Sequence, residues 1–400
     1  GSKGRNSMPL QTTDVVVIGG GIMGTATAYH LASRGVNVVL LEKTQLGAGS
    51  TGLTGGIIRT HYSVETSARM ALRALNIWEN FDAVVGGEVG FTRTGMVLVA
   101  EEEGTEGMLD SVKLQKSIGI NTEILNDESL KEIAPYMNTE DVHMAAYEPD
   151  SGFADGSMAC SAFAARTRDL GGVVRQGVEV TGIRVENGCV IGVDTSEGQI
   201  DAAAVVNTAG PWGPALARSV GVNVPAEPSR HQIASYKQPA DFNHPMHVII
   251  ADMLNEHYIR PDTGGLTLAG SLVDDTSDAV ANPDVFDQKV NRSFVEEMID
   301  KSAHRMPALE QGYLQGGWAG LYTVTPDWHA IIDQVEELPG LVLGLGFSGS
   351  GFKMGPVVGE MLADLATGDN QCPISPTIFN LKRFESGENN TSAYGSRIIG

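Results

Sequence analysis

The sequence predicts an α/β protein in which a buried parallel sheet is interleaved with an α+β unit built on a largely antiparallel sheet. Three observations predict it. Near the start, a glycine turn separates two short apolar runs, residues 15–18 and 38–41. Near the end, residues 341–360 repeat the pattern as an apolar strand, a glycine-rich turn and a helix. Between them, short strand-like runs at 231–236, 247–251, 257–260 and 266–270 are spaced for an antiparallel sheet.

The first stretch, DVVVIGGGIMGTATAYHLASRGVNVVLLE, carries the most information. Its two runs are rich in β-branched residues, as strands covered on both faces require. G-x-G-x-x-G is formed by Gly19, Gly21 and Gly24. Gly19 permits the sharp turn, Gly21 the close approach of a pyrophosphate, and Gly24 the packing of helix on strand. The helix opening at Ile22 and Met23 offers amide hydrogens and a partial positive charge to phosphate. Glu42 closes the second strand 23 residues after Gly19, where an acid binds ribose hydroxyls, and Lys43 follows it. A glycine turn with a purely structural role would leave Glu42 without a reason. The segment is therefore read as a Rossmann-like dinucleotide site.

Composition narrows the partners. A formal net charge of −22 argues against unaided binding to nucleic acid or an anionic membrane. Phosphate binding at a helix end is local and survives that balance. Cys160, Cys189 and Cys372 form no C-x-x-C, offer no metal site and suit a reducing, cytoplasmic setting. No apolar run is long enough to span a membrane. Residues 1–7 ahead of Met8 read as an expression leader, and 1–12 are set apart from the fold. The polar tail 385–400 is expected to be mobile.

After Glu42 the segment 43–63, KTQLGAGSTGLTGGIIRTHYS, is dense in small residues, which lets backbone lie against a flat ring. With the closing run LVLGLGFSGSGFKMGPVVGE, this sequence resembles the FAD-dependent amine and amino-acid oxidoreductases, nearest to the sarcosine oxidases, their β-subunit relatives and glycine oxidase. The resemblance spans about 13–379. It implies FAD as cofactor, with Ser50, Thr51, Gly55, Gly56 and Ile57 near it, Val178 at the adenine and Gly210 against the ring system. Trp212 either shields the flavin or packs at a helix start. Gly349, Ser350, Gly351, Phe352 and Lys353 form the second helix entry, aimed at the pyrimidine side of the flavin, where backbone amides stabilise negative charge. The resemblance further implies that Arg59, in Ile57-Ile58-Arg59, and Lys353, in GFKM, hold a substrate carboxylate. Tyr258, three residues before Pro261, and Tyr322 are the implied pocket tyrosines; Tyr258 reads equally as a half-buried strand residue. His61 reads as a satisfied loop histidine. Trp78 and Phe81, on a helical pattern over 65–81, read as core.

Residues 13–85, 147–222 and 316–380 are assigned to the FAD-binding domain, and 86–146 and 223–315 to the substrate domain. Helices are expected at 109–118, at 127–133 with Asp127 as N-cap, at 156–170 and within 283–306. The sequence departs from the resembled oxidases in two places. The cysteine that tethers their flavin stands two residues before a Tyr-Thr pair; here that position is Gly320, which implies FAD held non-covalently. The lysine that speeds their reaction with oxygen is matched by Thr267, which argues for slow oxidase chemistry.

The expected function is FAD-dependent oxidation of a small amino acid or N-alkyl amino acid, by hydride transfer to flavin N5, giving an imine that hydrolyses. A free-standing oxidase, and a dehydrogenase or flavin subunit passing electrons to a partner, both satisfy the residues. So does an FAD-binding protein without catalysis. An NAD enzyme would have no use for the closing GFSGSGFK segment.

Overall fold

The computed structural model describes residues 11–273 and 276–394; residues 1–10, where the leader was expected, and 395–400 of the tail lie outside them. The first sheet is built on strand Thr12–Ile18, flanked in parallel by Val38–Glu42 and by the C-terminal half of Gly198–Asn207. Val173–Gln176 extends it beyond Val38–Glu42, and Leu341–Leu345 adds in parallel beside residues 205–207. The hairpin strands Val180–Glu186 and Cys189–Thr195 and the strand Ile331–Gln334 complete it in antiparallel fashion.

Alternation along these strands feeds two cores. Val15, Val17, Leu40, Val206 and Val342 point to the face covered by helices Ile22–Ser33, Gly156–Asp169 and Gly351–Thr367. Val16, Ile18, Val39, Leu41, Val205 and Leu343 point to the other. Burial on both faces explains the unbroken apolar runs. Helices Ile22–Ser33 and Gly351–Thr367 pack so closely that a Cβ on Gly359 would lie 2.6 Å from the Ala26 carbonyl carbon. Both helices begin at the same end of the sheet, one after Gly21 and one after Ser350.

The second sheet runs in the order Tyr313–Val324, Glu227–Lys237, Leu266–Ser271, His257–Asp262, Ile249–Asp252, Met96–Ala100, Met144–Glu148, Glu123–Leu125. All neighbours are antiparallel except Ile249–Asp252 beside Met96–Ala100. One face packs on helix Arg292–Arg305 through Ala234, Tyr236, Ile259, Ala269 and Met298. The opposite face turns Tyr258 toward the first domain. A ribbon of Ile57–Ile58, Gly152–Phe153 and Thr92–Arg93 joins the two units.

Three expectations are corrected and one is met. Residues 316–324 pair along Glu227–Lys237 in the second sheet, and the chain rejoins the first sheet only at Ile331. The helix expected within 283–306 is present as Arg292–Arg305, with 276–291 forming an extended connection before it. The helix Asp127–Ile133 is capped by Asn126, whose side chain accepts from Ser129 N at 2.8 Å while Ser129 Oγ accepts from Asn126 N, so Asp127 sits in the first turn. The tail, where described, is docked. Asn390 N donates to Asp327 at 3.0 Å, and Tyr394 is buried.

Candidate cofactor and substrate site

A cavity of about 690 Å³ runs from the first glycine turn to the second sheet. At one end Gly19 turns with φ +100°, where only glycine is comfortable, and a Cβ on Gly24 would sit 1.7 Å from the Gly19 carbonyl oxygen. The helix entry can therefore fold tightly onto the strand end. Ile22 N donates to Thr51 Oγ1 at 3.0 Å, which ties the 50–53 turn to this helix start. Glu42 accepts from Gly20 N at 3.1 Å and from Thr44 N at 2.6 Å, so its carboxylate is fixed at the cavity wall.

Of the sequence-predicted cofactor residues, Gly19, Gly21, Ile22, Met23, Glu42, Lys43, Ser50, Thr51, Gly55, Gly210, Trp212, Gly349, Gly351 and Phe352 line this cavity. Gly24, Gly56, Ile57, Val178 and Ser350 do not. Gly24 and Gly56 act through close packing, a Cβ on Gly56 falling 2.2 Å from the Ala154 carbonyl oxygen. Val178 is buried and gives its N–H to Glu42 O at 3.0 Å; the wall there is Glu179, Val180 and Thr181. Ser350 hydrogen-bonds its own turn through Phe347 O.

The connection 276–291 carries wall residues that no motif announced: Pro283, Asp284, Phe286 and Gln288. Asp284 binds Lys43 Nζ at 2.5 Å and accepts from Trp212 Nε1 at 2.9 Å. Lys43 also lies 4.3 Å over the Trp212 ring. Trp212 thus both lines the cavity and fastens a strand-to-helix connection of the second unit across it.

The predicted catalytic residues fall into two neighbouring groups. Arg59 is buried, donates Nη1 to His61 O at 2.5 Å and stacks 4.3 Å over the Tyr62 ring. Lys353 is buried beside it. Burial first, and the Arg59 guanidinium second, hold the Lys353 amine well below the ordinary lysine range. The second group is Tyr258 and Tyr322. Burial pushes Tyr322 up to about 12, and burial followed by Tyr322 raises Tyr258, so both are neutral donors at ordinary pH. Tyr322 lines the cavity and stacks on His231 at 3.9 Å, and a Cβ on Gly55 would meet the Tyr258 hydroxyl at 3.5 Å. Arg59, Lys353 and Tyr258 border the site without lining the main cavity.

Sequence reasoning missed Glu148 and Arg260. Glu148 is buried, accepts from Thr60 N at 3.0 Å and from the Thr60 hydroxyl, and so braces the residue after Arg59. Burial raises its carboxyl, with the Thr60 hydroxyl and Arg59 acting the other way. Arg260 shares the Tyr258 side of its strand and lies 3.8 Å over Phe153. Thr267 points into the opposite layer, where its hydroxyl accepts from Gln238 at 3.1 Å and lies 3.1 Å from His247 Nε2.

The residues present fit a dinucleotide with a second aromatic head. Two helix starts without side-chain caps open on one cavity, and Ser50 Oγ is buried there with no partner among the described residues. Gly320 and the wall around it offer no thiol, since none of the three cysteines lines the cavity. Among the described residues there is no cluster suited to a metal ion and no helix long and apolar enough to cross a membrane.

Fold and site together define an FAD-dependent enzyme, and the chain belongs to the DAO family, FAD dependent oxidoreductase, whose profile matches residues 14–365. Proteins named as amine and amino-acid oxidoreductases are among those it is similar to. It is 28% identical over 392 residues to sarcosine oxidase subunit beta of Arthrobacter sp, covering 96% of this chain and 93% of that one. It is 29% identical over 380 residues to the mitochondrial sarcosine dehydrogenase of Homo sapiens, covering 89% of this chain but 40% of that longer protein. The crystal structure of L-proline dehydrogenase from P. horikoshii superimposes with a TM-score of 0.87 at 29% identity, over 95% of this chain and all of that one.

Proposed function

We propose that the protein oxidises the C–N bond of a small α-amino or N-alkyl amino acid whose carboxylate is held by Arg59 and Lys353. The observation that carries this reading is Lys353, a buried amine that forms no ion pair among the described residues and lies beside the Arg59 guanidinium. Burial and the neighbouring guanidinium disfavour the charged amine, and a carboxylate beside it restores that charge as a charge-assisted pair. FAD, bound non-covalently by the glycine turns, supplies the two-electron oxidant. The chain's own residues then do three things. Arg59 and Lys353 fix the carboxylate end. Their positive field lowers the pKa of the neighbouring ammonium, so the amine is presented neutral. Tyr258 and Tyr322 offer uncharged hydroxyls beside it and narrow the access of water.

The dehydrogenase reading, with electrons passed to a partner subunit or acceptor protein, is favoured over fast oxidase chemistry by one observation. Thr267, which the resemblance matches to the oxidases' lysine, carries no charge, and its hydroxyl is engaged by Gln238 and His247 behind the sheet. Similarity to a protein named L-proline dehydrogenase supports the same choice.

The test is anaerobic bleaching of the flavin by glycine, sarcosine, other N-methyl amino acids, proline and D-amino acids, each beside its carboxamide. At least one acid should reduce the flavin, its amide should not, and Arg59→Ala should weaken the acid strongly while FAD stays bound. Reduction by acid and amide alike removes the carboxylate site. Reoxidation by air within seconds, with stoichiometric peroxide, removes the dehydrogenase reading.

A further inference from the structure

The tail that the sequence presents as polar and loose returns to the segment carrying Arg59. Its root is a buried ion pair: Arg383 Nε lies 2.8 Å from Asp327 Oδ2, and the same oxygen accepts from Asn390 N at 3.0 Å. Asn390 Nδ2 donates to Ile378 O at 2.8 Å. Further along, Ala393 N donates to Ser63 Oγ at 2.8 Å, and the Ala393 side chain sits so near helix Thr105–Ser117 that a Cβ on Gly107 would meet it at 3.2 Å. Tyr394 then enters the apolar cluster on the site-facing side of the second sheet, with Met96, Leu98, Met108, Met253 and Leu272; Tyr258 and Ile57 pack against that same cluster. Its hydroxyl lies 2.6 Å from His61 Nε2, and the two rings are 5.6 Å apart.

These contacts form a relay. The Tyr394 hydroxyl meets the His61 ring, and the His61 carbonyl receives Arg59 Nη1. We propose that residues 388–394 are a strap closing the substrate side of the site, and that Tyr394 is a positioning residue that sets the Arg59 guanidinium through His61. The inference rests on the reading that Arg59 holds a carboxylate.

Burial drives His61 down to about 3, with Arg59 adding to the effect, so its ring is neutral and Nε2 meets Tyr394 without ionic help. Nδ1 is buried with no partner among the described residues. Removing the tyrosine hydroxyl would therefore leave a buried imidazole with no partner on either nitrogen, a state that drives rearrangement of the irregular 59–63 segment. A guanidinium on a relaxed segment must be ordered at the moment of binding, which weakens affinity without altering the chemistry that follows. Tyr394 also belongs to the apolar cluster against which Tyr258 packs, so its removal loosens the packing behind that pocket tyrosine and admits larger substituents.

The test uses the FAD-loaded 400-residue chain, Tyr394→Phe, Arg59→Ala, and a chain ending at Gly387. Acetate binding by calorimetry reads the carboxylate site independently of turnover. Anaerobic flavin reduction by a reducing amino acid separates apparent binding from limiting rate. Tyr394→Phe should weaken both acetate and amino acid about tenfold, with limiting rate and FAD content unchanged. In a His61→Gln background it should add nothing. The shortened chain should lose at least as much affinity and gain activity on bulkier N-substituted amino acids. If Arg59→Ala leaves acetate binding unchanged, the carboxylate reading itself fails. If Arg59→Ala weakens acetate but Tyr394→Phe does not, the relay alone is overturned, and the conservative phenylalanine keeps this outcome readable even where the shortened chain does not fold.

Discussion

Replacing Lys353 by methionine should weaken substrate binding and, at neutral pH, leave the fold at least as stable. The side chain is 8% exposed in the first turn of helix Gly351–Thr367. A carboxylate about 4 Å from its amine gains roughly 4 kcal/mol at an effective dielectric near 20. A charge-assisted hydrogen bond nets about 1.5–3 kcal/mol after desolvation. Taking the lower range, Lys353→Met should raise the substrate's dissociation constant about 10- to 100-fold. Stability moves the other way. The amine's folded pKa lies below its unfolded value, so the unfolded chain binds more protons and stability rises with pH. Below the unfolded pKa of about 10.4 the lysine is therefore a cost that methionine removes. A bound carboxylate raises the same pKa, so wild-type affinity should fall as pH rises from the lowered free value toward the bound one. The assays are anaerobic flavin-reduction titrations between pH 6 and pH 10, and thermal melts at fixed FAD at pH 7 and near pH 10.5. An unchanged dissociation constant, or a variant that melts below wild type at pH 7, refutes the argument.

Other perturbations test the cofactor end and the frame. Glu42→Ala leaves Gly20 N and Thr44 N without their acceptor, and should raise the FAD dissociation constant about tenfold while substrate binding to the reloaded enzyme is unchanged; fluorescence reconstitution of the apoprotein measures it. Asp284→Ala frees Lys43 and Trp212 from the connection across the cavity; the pair is half exposed, so FAD release should quicken only about threefold, and the difference should shrink near 1 M salt. Arg383→Met strands the buried Asp327 carboxylate, which burial pushes up but which Arg383 and the Asn390 and His329 amides together hold low, and should cost about 3–5 kcal/mol in denaturant unfolding. In the wild type that contribution is lost as pH falls through the lowered folded pKa of Asp327, which acid unfolding of wild type against variant would reveal.

What was legible in the sequence is what local chemistry dictates. Gly19, Gly21 and Glu42 can be read because strand, turn, helix and strand are consecutive, and the turn requires glycine at fixed spacing. The closing run to Lys353 is legible for the same reason. Residues 316–324 are not, because their alternating pattern suits either sheet and the deciding partner, Glu227–Lys237, lies about 80 residues away. The direction of Thr267 is lost likewise: a strand's period says which residues share a face, and only the packing of helix Arg292–Arg305 says which face is which. The connection 276–291 and the tail are the hardest. Their anchors are scattered individual contacts, among them Asp284 to Trp212 and Tyr394 to His61, with no periodicity to announce them.

The two cations of the proposed carboxylate site are mounted differently, and this bears on how the site adapts to its substrate. Lys353 belongs to a 17-residue helix whose start lines the cavity and whose middle meets helix Ile22–Ser33 at van der Waals distance through Gly359 and Ala26. Its main-chain carbonyl is also held by Trp78 Nε1 at 2.9 Å. The lysine and both helix starts therefore move as one body, because a closely packed helix pair resists displacement. Arg59 directly follows the two-residue strand Ile57–Ile58 in the ribbon joining the units, braced by Glu148 behind Thr60 and by the tail in front. These supports come from separate parts of the chain, Glu148 through two hydrogen bonds to Thr60 and Ala393 through one to Ser63. Changes in the second sheet or the tail can then shift the arginine arm while the lysine arm and the dinucleotide site stay fixed. On this geometry, substrate choice can change through residues around Arg59, His61 and Tyr394 with little effect on the hold on FAD.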